Sequence, residues 1–457
     1  MRKDEAMDII IVGCGKVGQE ITSRLSGDGN NITVIDIDES KSHETAEKYD
    51  VMAITGNGAT HAVQQEAGIK NANLLIAVTG SDELNLLCCL IAKKAGNCQT
   101  IARVRNPDYS LEAPYLKEEL GLAMVINPEA AAAAEIARLL RFPSAIKIDT
   151  FAKGRIELMK FRLPEKSVLE GCKVKEITTK LHCDVLVCTI EREDEVFIAN
   201  GDFRFEEKDV ISIIATPRNA SAFFKKINYK TNQVKNTIIA GGGGISYYLC
   251  EALLKSGINV KIIERKFERC EHLNQHFPKA DIVHGDASDR NLLMQEGIED
   301  AGSFVSLTNM DEENILLSLF AESKMSGKII TKINRIEFDS VIKKLELDSI
   351  INPKNLTAEN IVRYVRAMKN TIGSNVETLY GIIKDKVEAA EFIVREPSKL
   401  IGKPLMELKF KKNLLIASIT RDGKAIIPRG HDTIQIGDSV VVVSTHLGLS
   451  DITDILA

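Results

Sequence analysis

The strongest constraint on the fold is an internal duplication, because the motifs of the first half of the chain return in the same order in the second. The segment "IIIVGCGKVGQEITSRLSGDGNNITVIDID" corresponds to "TIIAGGGGISYYLCEALLKSGINVKIIERK". Gly13 matches Gly241 and Asp36 matches Glu264, and 241 minus 13 and 264 minus 36 both give 228. "AVTGSDELN" likewise corresponds to "SLTNMDEEN", and "VINPEAAAAAEI" to "IINPKNLTAENI". This repeated spacing predicts that one architecture occurs twice.

Each half is predicted to contain a larger and a smaller unit. In the first half, the apolar runs "DIIIVG", "ITVID", "VMAITG", "LLIAVT" and "QTIARV" alternate with helical patterns. Such alternation is typical of an α/β fold with a doubly wound, Rossmann-like parallel sheet. The smaller units show short strands and glycine turns, which indicate α+β domains. The predicted units are 1–141, 142–228, 229–368 and 369–457, with the polar stretch 225–236 joining the halves.

The composition argues against two classes of protein. The 457 residues carry a formal net charge of -5, whereas a general nucleic-acid surface needs a dense basic face. Tryptophan is absent and aromatic residues make up only 5%, so stacking platforms for bases are not expected. No apolar run approaches the ~18 residues that span a bilayer, and no signal-peptide pattern opens the chain. We therefore expect a cytoplasmic protein that reaches a membrane only through a partner.

Cysteine and histidine give no metal signature. The nine cysteines include no C-x-x-C pair, and we expect buried, reduced thiols in a reducing cytosol. His272 and His276 lie four residues apart on a predicted helix, but "CEHLNQHFPK" lacks the glutamate of the H-E-x-x-H pattern. We predict a solvated helix face there and no metal site.

The first glycine loop has the context of a dinucleotide-binding site: a strand, G-x-G-x-x-G, a helix, and a second strand that ends in an acid. Gly13 permits the tight turn, Gly15 lets the backbone approach a pyrophosphate, and Gly18 lets the helix pack closely on the sheet. Unpaired N–H groups at the helix start then face the phosphates. Asp36 is placed to accept hydrogen bonds from both ribose hydroxyls, and its charge favours NAD over NADP. The alternative is a tight turn without a ligand.

The second loop departs from this pattern. It consists of Gly241, Gly242, Gly243, Gly244, Ile245 and Ser246. Because Ser246 replaces the third glycine, slightly looser helix packing is predicted. Glu264 keeps the carboxylate on a longer arm, and Arg265 after it is available to a phosphate. We interpret this as an adenine-nucleotide site whose ligand stays open; the alternative is a degenerate, empty site.

Further candidates lie at strand ends, since ligands of parallel sheets bind outside the carboxyl ends of the strands. They are Gly56, Asn57, Thr79 and Gly80, matched in the second half by Gly285, Asp286, Thr308 and Asn309. Asp82 and Asn85 are predicted to cap the following helix instead. Arg103, with Lys332 as its equivalent, is placed to offer positive charge to phosphates, and a solvated strand end is the competing interpretation.

Neither half shows the acid–base machinery of a dehydrogenase. Such an enzyme needs a general acid or base within reach of its substrate, and no Tyr-x-x-x-Lys pair follows either nucleotide unit at a helical position. We therefore predict a ligand-binding module and not an enzyme. Two alternatives stay open: an NAD-dependent oxidoreductase with an unrecognised active site, and a structural ring subunit with vestigial pockets.

The order of the four units, with "GCGKVG", Asp36 and "AVTGSDELN", resembles the TrkA-type regulators of bacterial and archaeal potassium uptake. These carry two RCK nucleotide-binding domains, each followed by an RCK C-terminal domain. The resemblance covers essentially the whole chain and includes "RVRNPDY" at Arg103–Tyr109 and the "INP" segments at Asn127 and Asn352. It implies a homo-oligomeric ring, dimer or tetramer, on the cytoplasmic face of a Trk-type membrane potassium-translocating subunit. NAD(H) and ATP or ADP would compete for its crevices.

The resemblance also implies which residues bind nucleotide. The first site would contain Gly13, Cys14, Gly15, Lys16, Val17, Asp36, Thr79, Gly80 and Arg103. The second would contain Gly241, Gly242, Gly243, Gly244, Ile245, Glu264, Thr308 and Lys332. The family uses the helix after "INP" to join subunits, and "EAAAAAEIARLL" is a strong helix former with a small-residue face suited to close packing.

Overall fold

The computed structural model describes residues 6–96, 98–142, 145–151, 155–164, 166–193, 195–227, 234–334, 345, 347–371, 376–383, 386–449 and 451–457. The first unit is a parallel sheet covered by helices. Its strands are β1 (Asp8–Val12), β2 (Asn31–Asp36), β3 (Met52–Thr55), β4 (Leu74–Ala77), β5 (Gln99–Arg103) and β6 (Met124–Ile126). Its helices are α1 (Lys16–Gly27), α2 (Glu39–Tyr49), α3 (His61–Glu66), α4 (Asp82–Gly96), α5 (Pro107–Leu111), α6 (Ala113–Glu119) and α7 (Pro128–Arg141). The order β3-β2-β1-β4-β5-β6 confirms the predicted Rossmann-like sheet and adds β6 to the five predicted strands.

A crevice opens between β1 and β4, where the strand order changes direction. Ile9 of β1 pairs with Ile32 of β2 on one side and with Leu74 of β4 on the other. Helices cover both faces of the sheet, so Ile9, Ile10 and Ile11 are all buried. The loops that leave β1 and β4 therefore meet at the carboxyl edge, which is where such sheets bind ligands.

The first small unit is an antiparallel sheet. Its strands are β7 (Lys147–Phe151), β8 (Ile156–Arg162), β9 (Leu186–Arg192), β10 (Glu195–Ile198) and β11 (Val210–Ala215), in the order β10-β9-β11-β8-β7. Its helices are α8 (Glu176–Leu181) and α9 (Pro217–Lys226). The Arg192 guanidinium holds the Asp209 carboxylate with two hydrogen bonds of 2.8 and 2.9 Å. This pair fixes the start of β11 against the end of β9.

The second large unit repeats the first. Its strands are β12 (Asn236–Ala240), β13 (Asn259–Glu264), β14 (Asp281–His284), β15 (Ser303–Ser306), β16 (Lys328–Lys332) and β17 (Ser349–Ile351), in the order β14-β13-β12-β15-β16-β17. Its helices are α10 (Gly244–Lys255), α11 (Phe267–His276), α12 (Arg290–Gln295), α13 (Asp311–Lys324) and α14 (Pro353–Thr371), with a 3-10 turn at Ile298–Asp300.

The last unit repeats the first small unit. Its strands are β18 (Val376–Ile383), β19 (Val387–Ile393), β20 (Leu414–Arg421), β21 (Lys424–Ile426) and β22 (Ser439–Ser444), with 3-10 turns at Leu405–Glu407 and Ile452–Ile455. The order β18-β19-β22-β20-β21 is that of the first small unit read from its other edge. The Arg421–Asp438 pair repeats Arg192–Asp209, so the tandem duplication extends to single side-chain contacts.

The two halves pack on each other through reciprocal helices. Helix α7 of the first half lies against α10 of the second, and α14 of the second lies against α1 of the first. Ala133 of α7 shares an apolar cluster with Ile245 of α10, and Ala358 of α14 shares another with Ile21 of α1. The helix after each "INP" segment therefore joins the two halves of one chain.

The small units also share a core, in which Phe151 and Cys188 of the first lie with Val387 and Val441 of the second. All nine cysteines are free, and eight of them are buried. Within the part of the chain that the structure describes, no helix is both long and apolar enough to cross a membrane. The boundaries of the four units stay predictions, and residues 228–233 of the predicted link lie outside the described residues.

Candidate functional site

The three glycines of the first loop have different surroundings. Gly13 follows β1 with φ of +106°, and a Cβ there would lie 3.0 Å from the backbone of Val78. A Cβ on Gly18 would lie 1.8 Å from the carbonyl oxygen of Gly13, so α1 can pass this close only with glycine. A Cβ on Gly15 would meet no atom within 4 Å. The loop therefore packs tightly on the protein at Gly13 and Gly18, whereas the space beside Gly15 is free. A pyrophosphate-binding turn requires this arrangement.

The amino terminus of α1 faces this opening without a side-chain cap among the described residues. Its first amides are thus available to an acceptor, and the helix dipole favours a negative one. Lys16 in the first turn is exposed, whereas Val17 packs against the cluster that contains α14. The start of α1 can therefore receive a phosphate while its other side is held by the second half.

Asp36 reaches back from the end of β2 to the same loop. Its carboxylate accepts hydrogen bonds from the Cys14 N–H at 2.6 Å and the Asp38 N–H at 3.0 Å. A carboxylate has about four lone-pair positions, so acceptor capacity remains for two ribose hydroxyls. Burial raises the pKa of the Cys14 thiol to about 11, so the side chain under the loop stays neutral near pH 7.

The second loop has the same design with two changes. Glu264 accepts from the Gly242 N–H at 2.7 Å and the Lys266 N–H at 2.8 Å, and Gly241 has φ of +101°. Ser246 is buried, and its hydroxyl donates to the Gly241 carbonyl that faces it. The serine therefore bonds to the carbonyl of Gly241, whose counterpart in the first loop, the carbonyl of Gly13, would collide with a side chain at Gly18. Gly243 is open, as Gly15 is.

Helix α11 contributes a further cation to the second loop. The Arg269 guanidinium donates to the carbonyls of Gly242, at 2.6 Å, and Gly243, at 3.3 Å. His272 and His276 stack 4.3 Å apart beside it, and Tyr247 packs on both rings. Among the described residues no group of three or more His, Cys, Asp or Glu side chains comes together to hold a metal ion.

The predicted capping role of Asp82 and Asn85 is wrong. Asn85 accepts from the N–H and hydroxyl of Thr79, at 2.8 and 2.7 Å, and donates to the carbonyl of Arg103 at 2.9 Å. Asp82 accepts from the N–H of Arg105 and from that of the next residue, both at 2.8 Å. The hydroxyl oxygen of Ser81 instead accepts from the N–H of Leu84 in the first turn of α4. Both residues therefore tie the loop after β4 to the loop after β5.

This tie is repeated in the second crevice. Asn314 accepts from the N–H of Thr308 at 2.8 Å and donates to the carbonyl of Lys332 at 3.0 Å, and Asp311 accepts from the N–H of Asn334. The signal was present in the sequence, because "AVTGSDELN" and "SLTNMDEEN" share the Asp and Asn at the same positions. A helix cap would explain one such residue, but not the pair in both halves.

The residues after β3 and β14 lie at the outer side of each crevice. A Cβ on Gly56 would lie 2.8 Å from Val63, and one on Gly285 would lie 2.5 Å from Leu292, so both glycines allow close packing. Asn57 accepts from the N–H of Ala59 at 3.0 Å. Its counterpart Asp286 accepts from the N–H and hydroxyl of Ser288.

The two cations expected to meet phosphates lie in the crevices and bind their own loops. Arg103 donates to the carbonyl of Thr79, and Lys332 lies 3.4 Å from the carbonyl of Leu307. Burial lowers the pKa of both cations, and the Glu129 carboxylate acts on each in the opposite direction. An anionic ligand in either crevice would act in the same direction as Glu129, because a nearby opposite charge favours the charged form of a cation.

The two crevices face each other across the interface between the halves. Glu129, in the first turn of α7, lies beside the second loop, since a Cβ on Gly244 would be 3.1 Å from its Cγ. Lys16 of the first loop in turn lowers the pKa of Lys332. Oε2 of Glu129 is buried without a hydrogen-bond partner among the described residues. Each crevice therefore contains charges from the opposite half.

Comparison with known proteins gives a consistent answer. The TrkA-N domain model matches residues 9–128 and 237–353, and the TrkA-C domain model matches 158–228 and 389–457. The chain is 32% identical over 458 residues to the Trk system potassium uptake protein TrkA homolog 1 of Methanosarcina mazei, covering 98% of this chain and 99% of that one. It is 30% identical over 440 residues to TrkA of Haemophilus influenzae, covering 95% of each.

Solved structures with the same fold include the GsuK RCK domain, with a TM-score of 0.64 over 97% of this chain and 94% of that one. The GsuK channel bound to NAD has a TM-score of 0.63 and covers 97% of this chain and 78% of that one. Both are 16% identical, so they show the fold alone. The sequence matches, in contrast, span nearly the whole chain and both repeats. The chain therefore belongs to the TrkA family of Trk-system potassium uptake proteins, which are regulatory subunits and not enzymes.

Proposed function

We propose that this chain is the nucleotide-controlled regulatory subunit of a membrane potassium uptake transporter. The first crevice binds NAD(H), the second binds an adenine nucleotide such as ADP or ATP, and occupancy changes the shape of a homo-oligomeric ring on the cytoplasmic face of the transporter. The ligands act only through their different affinities for two shapes of the ring, so no catalytic residue is needed.

One observation carries the nucleotide assignment. In each half an acid at the end of the second strand hydrogen-bonds the glycine loop, Asp36 to Cys14 and Glu264 to Gly242, beside a helix start without a side-chain cap. Ribose hydroxyls and phosphates are the groups that fit this combination of acceptor and donors. The single negative charge of Asp36 at that position supports NAD(H) over its 2′-phosphorylated form.

The partner assignment is supported by the relatives. The Methanosarcina mazei and Haemophilus influenzae proteins are Trk system potassium uptake proteins. GsuK is a channel with an RCK domain, and one of its structures is bound to NAD and another to ADP. The lack of a membrane-spanning helix among the described residues is compatible with a subunit that acts on a separate pore protein.

The test is a calorimetric titration of the full chain with NADH and with ADP. Asp36→Ala is expected to weaken NADH binding by about 1–3 kcal/mol, because charged hydrogen bonds to ribose are lost. Glu264→Ala is expected to weaken ADP binding at the second crevice by a similar amount. Asp38→Asn is the matched control, because it removes a charge two residues from Asp36 and keeps the oxygen that caps α2.

The same variants are then compared in potassium uptake by membrane vesicles that hold the pore subunit. We expect nucleotide to change potassium uptake with the wild-type chain and with Asp38→Asn. It should have no effect on uptake with the double variant that combines Asp36→Ala and Glu264→Ala. Light scattering of the full chain should give an integer multiple, two or more, of 50.4 kDa. Unchanged NADH affinity in Asp36→Ala would show that the ribose lies elsewhere.

A further inference from the structure

One side chain of the second half enters the rim of the first crevice. Tyr248 lies in α10, four residues after Gly244, where the helix begins at the second loop. Its hydroxyl lies 2.8 Å from the carbonyl oxygen of Arg105, 3.1 Å from the hydroxyl of Ser110 and 2.9 Å from the amide nitrogen of Asn127. The phenol thus accepts from Asn127 and donates to the first half, one helical turn from the proposed phosphate site of the second.

The group that Tyr248 contacts is itself part of the first crevice. The Arg105 guanidinium donates to the carbonyl of Gly80 at 2.6 Å, and the Arg105 N–H donates to Asp82 at 2.8 Å. Gly80 belongs to the loop after β4 that faces the first glycine loop. A displacement of the Tyr248 hydroxyl therefore reaches this loop through a single intervening residue.

Among the residues that the structure describes, no equivalent contact runs from the first half to the second. The residue of α1 that corresponds to Tyr248 is Glu20, which pairs with Arg24 at 2.9 Å on its own helix. Arg24 lies 3.6 Å from Glu359 of α14, and it is exposed enough for that pair to contribute little. The side-chain amide nitrogen of Asn352, the counterpart of Asn127, has no hydrogen-bond partner among the described residues, while its amide oxygen accepts from the N–H of Asn355 at 3.0 Å. Within the described part of the chain, a hydroxyl-centred network is therefore found at Tyr248 and is not repeated at Glu20.

We propose that Tyr248 couples the two nucleotide sites of one chain, as a positioning residue that transmits occupancy of the second loop to the rim of the first crevice. The inference rests on the proposed function, because it needs both crevices to bind nucleotide. Phosphate bound at the start of α10 shifts the first turn of that helix, and the hydroxyl carries the shift to Arg105 and Gly80. Because coupling free energy is reciprocal, ligand in the first crevice changes affinity at the second by the same factor.

The experiment measures NADH affinity by calorimetry with and without saturating ADP, and ADP affinity with and without saturating NADH. Tyr248→Phe removes only the hydroxyl and keeps the ring between α7 and α10. The control is Tyr247→Phe, on the same turn. Its ring packs on His272 and Phe277 within the second half, and its hydroxyl makes no hydrogen bond among the described residues.

In the wild-type chain and in Tyr247→Phe, we expect each ligand to change the affinity of the other by the same factor, about fivefold or more. In Tyr248→Phe the factor should fall below about twofold, while each ligand alone binds with wild-type affinity. Asn127→Asp is a second variant, since it keeps the oxygen that caps α7 and replaces the donor to the phenol by an acceptor that competes with Arg105. It should reduce the factor as well.

The outcomes separate this inference from the proposed function. Full coupling in Tyr248→Phe would overturn the role of Tyr248 while leaving nucleotide binding intact, and so would wild-type sites that bind both ligands independently. Failure of the wild-type chain to bind any of the nucleotides would overturn both proposals together. Equal loss of affinity at both sites in Tyr248→Phe, with coupling preserved, would assign the residue a structural role and likewise refute the inference.

Discussion

Gly15 and Gly18 are three residues apart in one loop, and the structure gives them opposite tolerance to a side chain. A Cβ on Gly18 would overlap the carbonyl oxygen of Gly13 at 1.8 Å, whereas one on Gly15 would meet no protein atom within 4 Å. Gly18→Ala should therefore lower the free energy of unfolding by about 1–3 kcal/mol, because α1 must move away from the sheet. Gly15→Ala should change it by less than about 0.5 kcal/mol.

The two variants should also differ in binding. The methyl group of Gly15→Ala occupies the space that a pyrophosphate would use, so NADH affinity should fall although the fold is kept. Denaturant unfolding followed by fluorescence of an added dye, together with NADH titration, measures both effects. Wild-type NADH affinity in a folded Gly15→Ala chain would place the phosphates outside this loop.

At the scale of single residues, the positions of the loop glycines and of the acids at the strand ends could be predicted, because they follow from local sequence rules. A positive φ after β1 and a carboxylate at the end of β2 are set within a stretch of the chain that can be read directly. Asp82 and Asn85 were misassigned because their position before a helix fits the rule for caps. Their actual partners, the carbonyl of Arg103 and the N–H of Arg105, are more than fifteen residues away and become neighbours only when the sheet forms.

Helix α7 shows how an element follows from its sequence. Asn127 accepts from the N–H of Ala130, Pro128 stands in the first turn, and a run of alanines follows. This pattern predicts both where α7 begins and which of its faces carries small residues. Strand β6 before it was not predicted, because Met124–Ile126 is only three residues long and its pairing with β5 is non-local.

The alanines of α7 allow a test of the helix contact. Ala133 is 1% exposed and lies in the cluster shared with α10, whereas Ala134 is exposed. Ala133→Leu should lower the denaturant midpoint and reduce the free energy of unfolding by about 1–3 kcal/mol, because the larger side chain pushes α7 away from α10. Ala134→Leu, with the same added volume, should be neutral within about 0.5 kcal/mol. Equal midpoints for both variants would show that the two helices are not closely packed there.

At the scale of the whole molecule, apolar clusters combine residues from both halves of the chain. One cluster joins α7 and the first small unit to the second large unit, and another joins the first large unit to α14. Lys328 of β16 also donates to the carbonyl of Ala145, at the entrance to the first small unit, at 2.7 Å. The halves therefore depend on each other for their cores, a feature that the duplication alone did not reveal.

These contacts predict that the halves stay together without a covalent connection. A specific protease site inserted within 228–233 should allow cleavage into two fragments that co-elute in size-exclusion chromatography at the volume of the intact protein. The mixture should keep its affinity for NADH. The control is the same insertion without protease, and separate elution of the two fragments under native conditions would contradict the packing described here.

Tyr248 in the second half stands at the position that Glu20 holds in the first, and this difference has a consequence for how such a protein evolves. When two identical subunits meet, each surface must suit its own copy, and every substitution changes both sides of the contact. Fusion into one polypeptide removes that requirement and keeps the partners at a high effective concentration even in dilute solution. Each pocket is then free to specialise by itself, so one gene can carry two chemically distinct pockets in a fixed ratio.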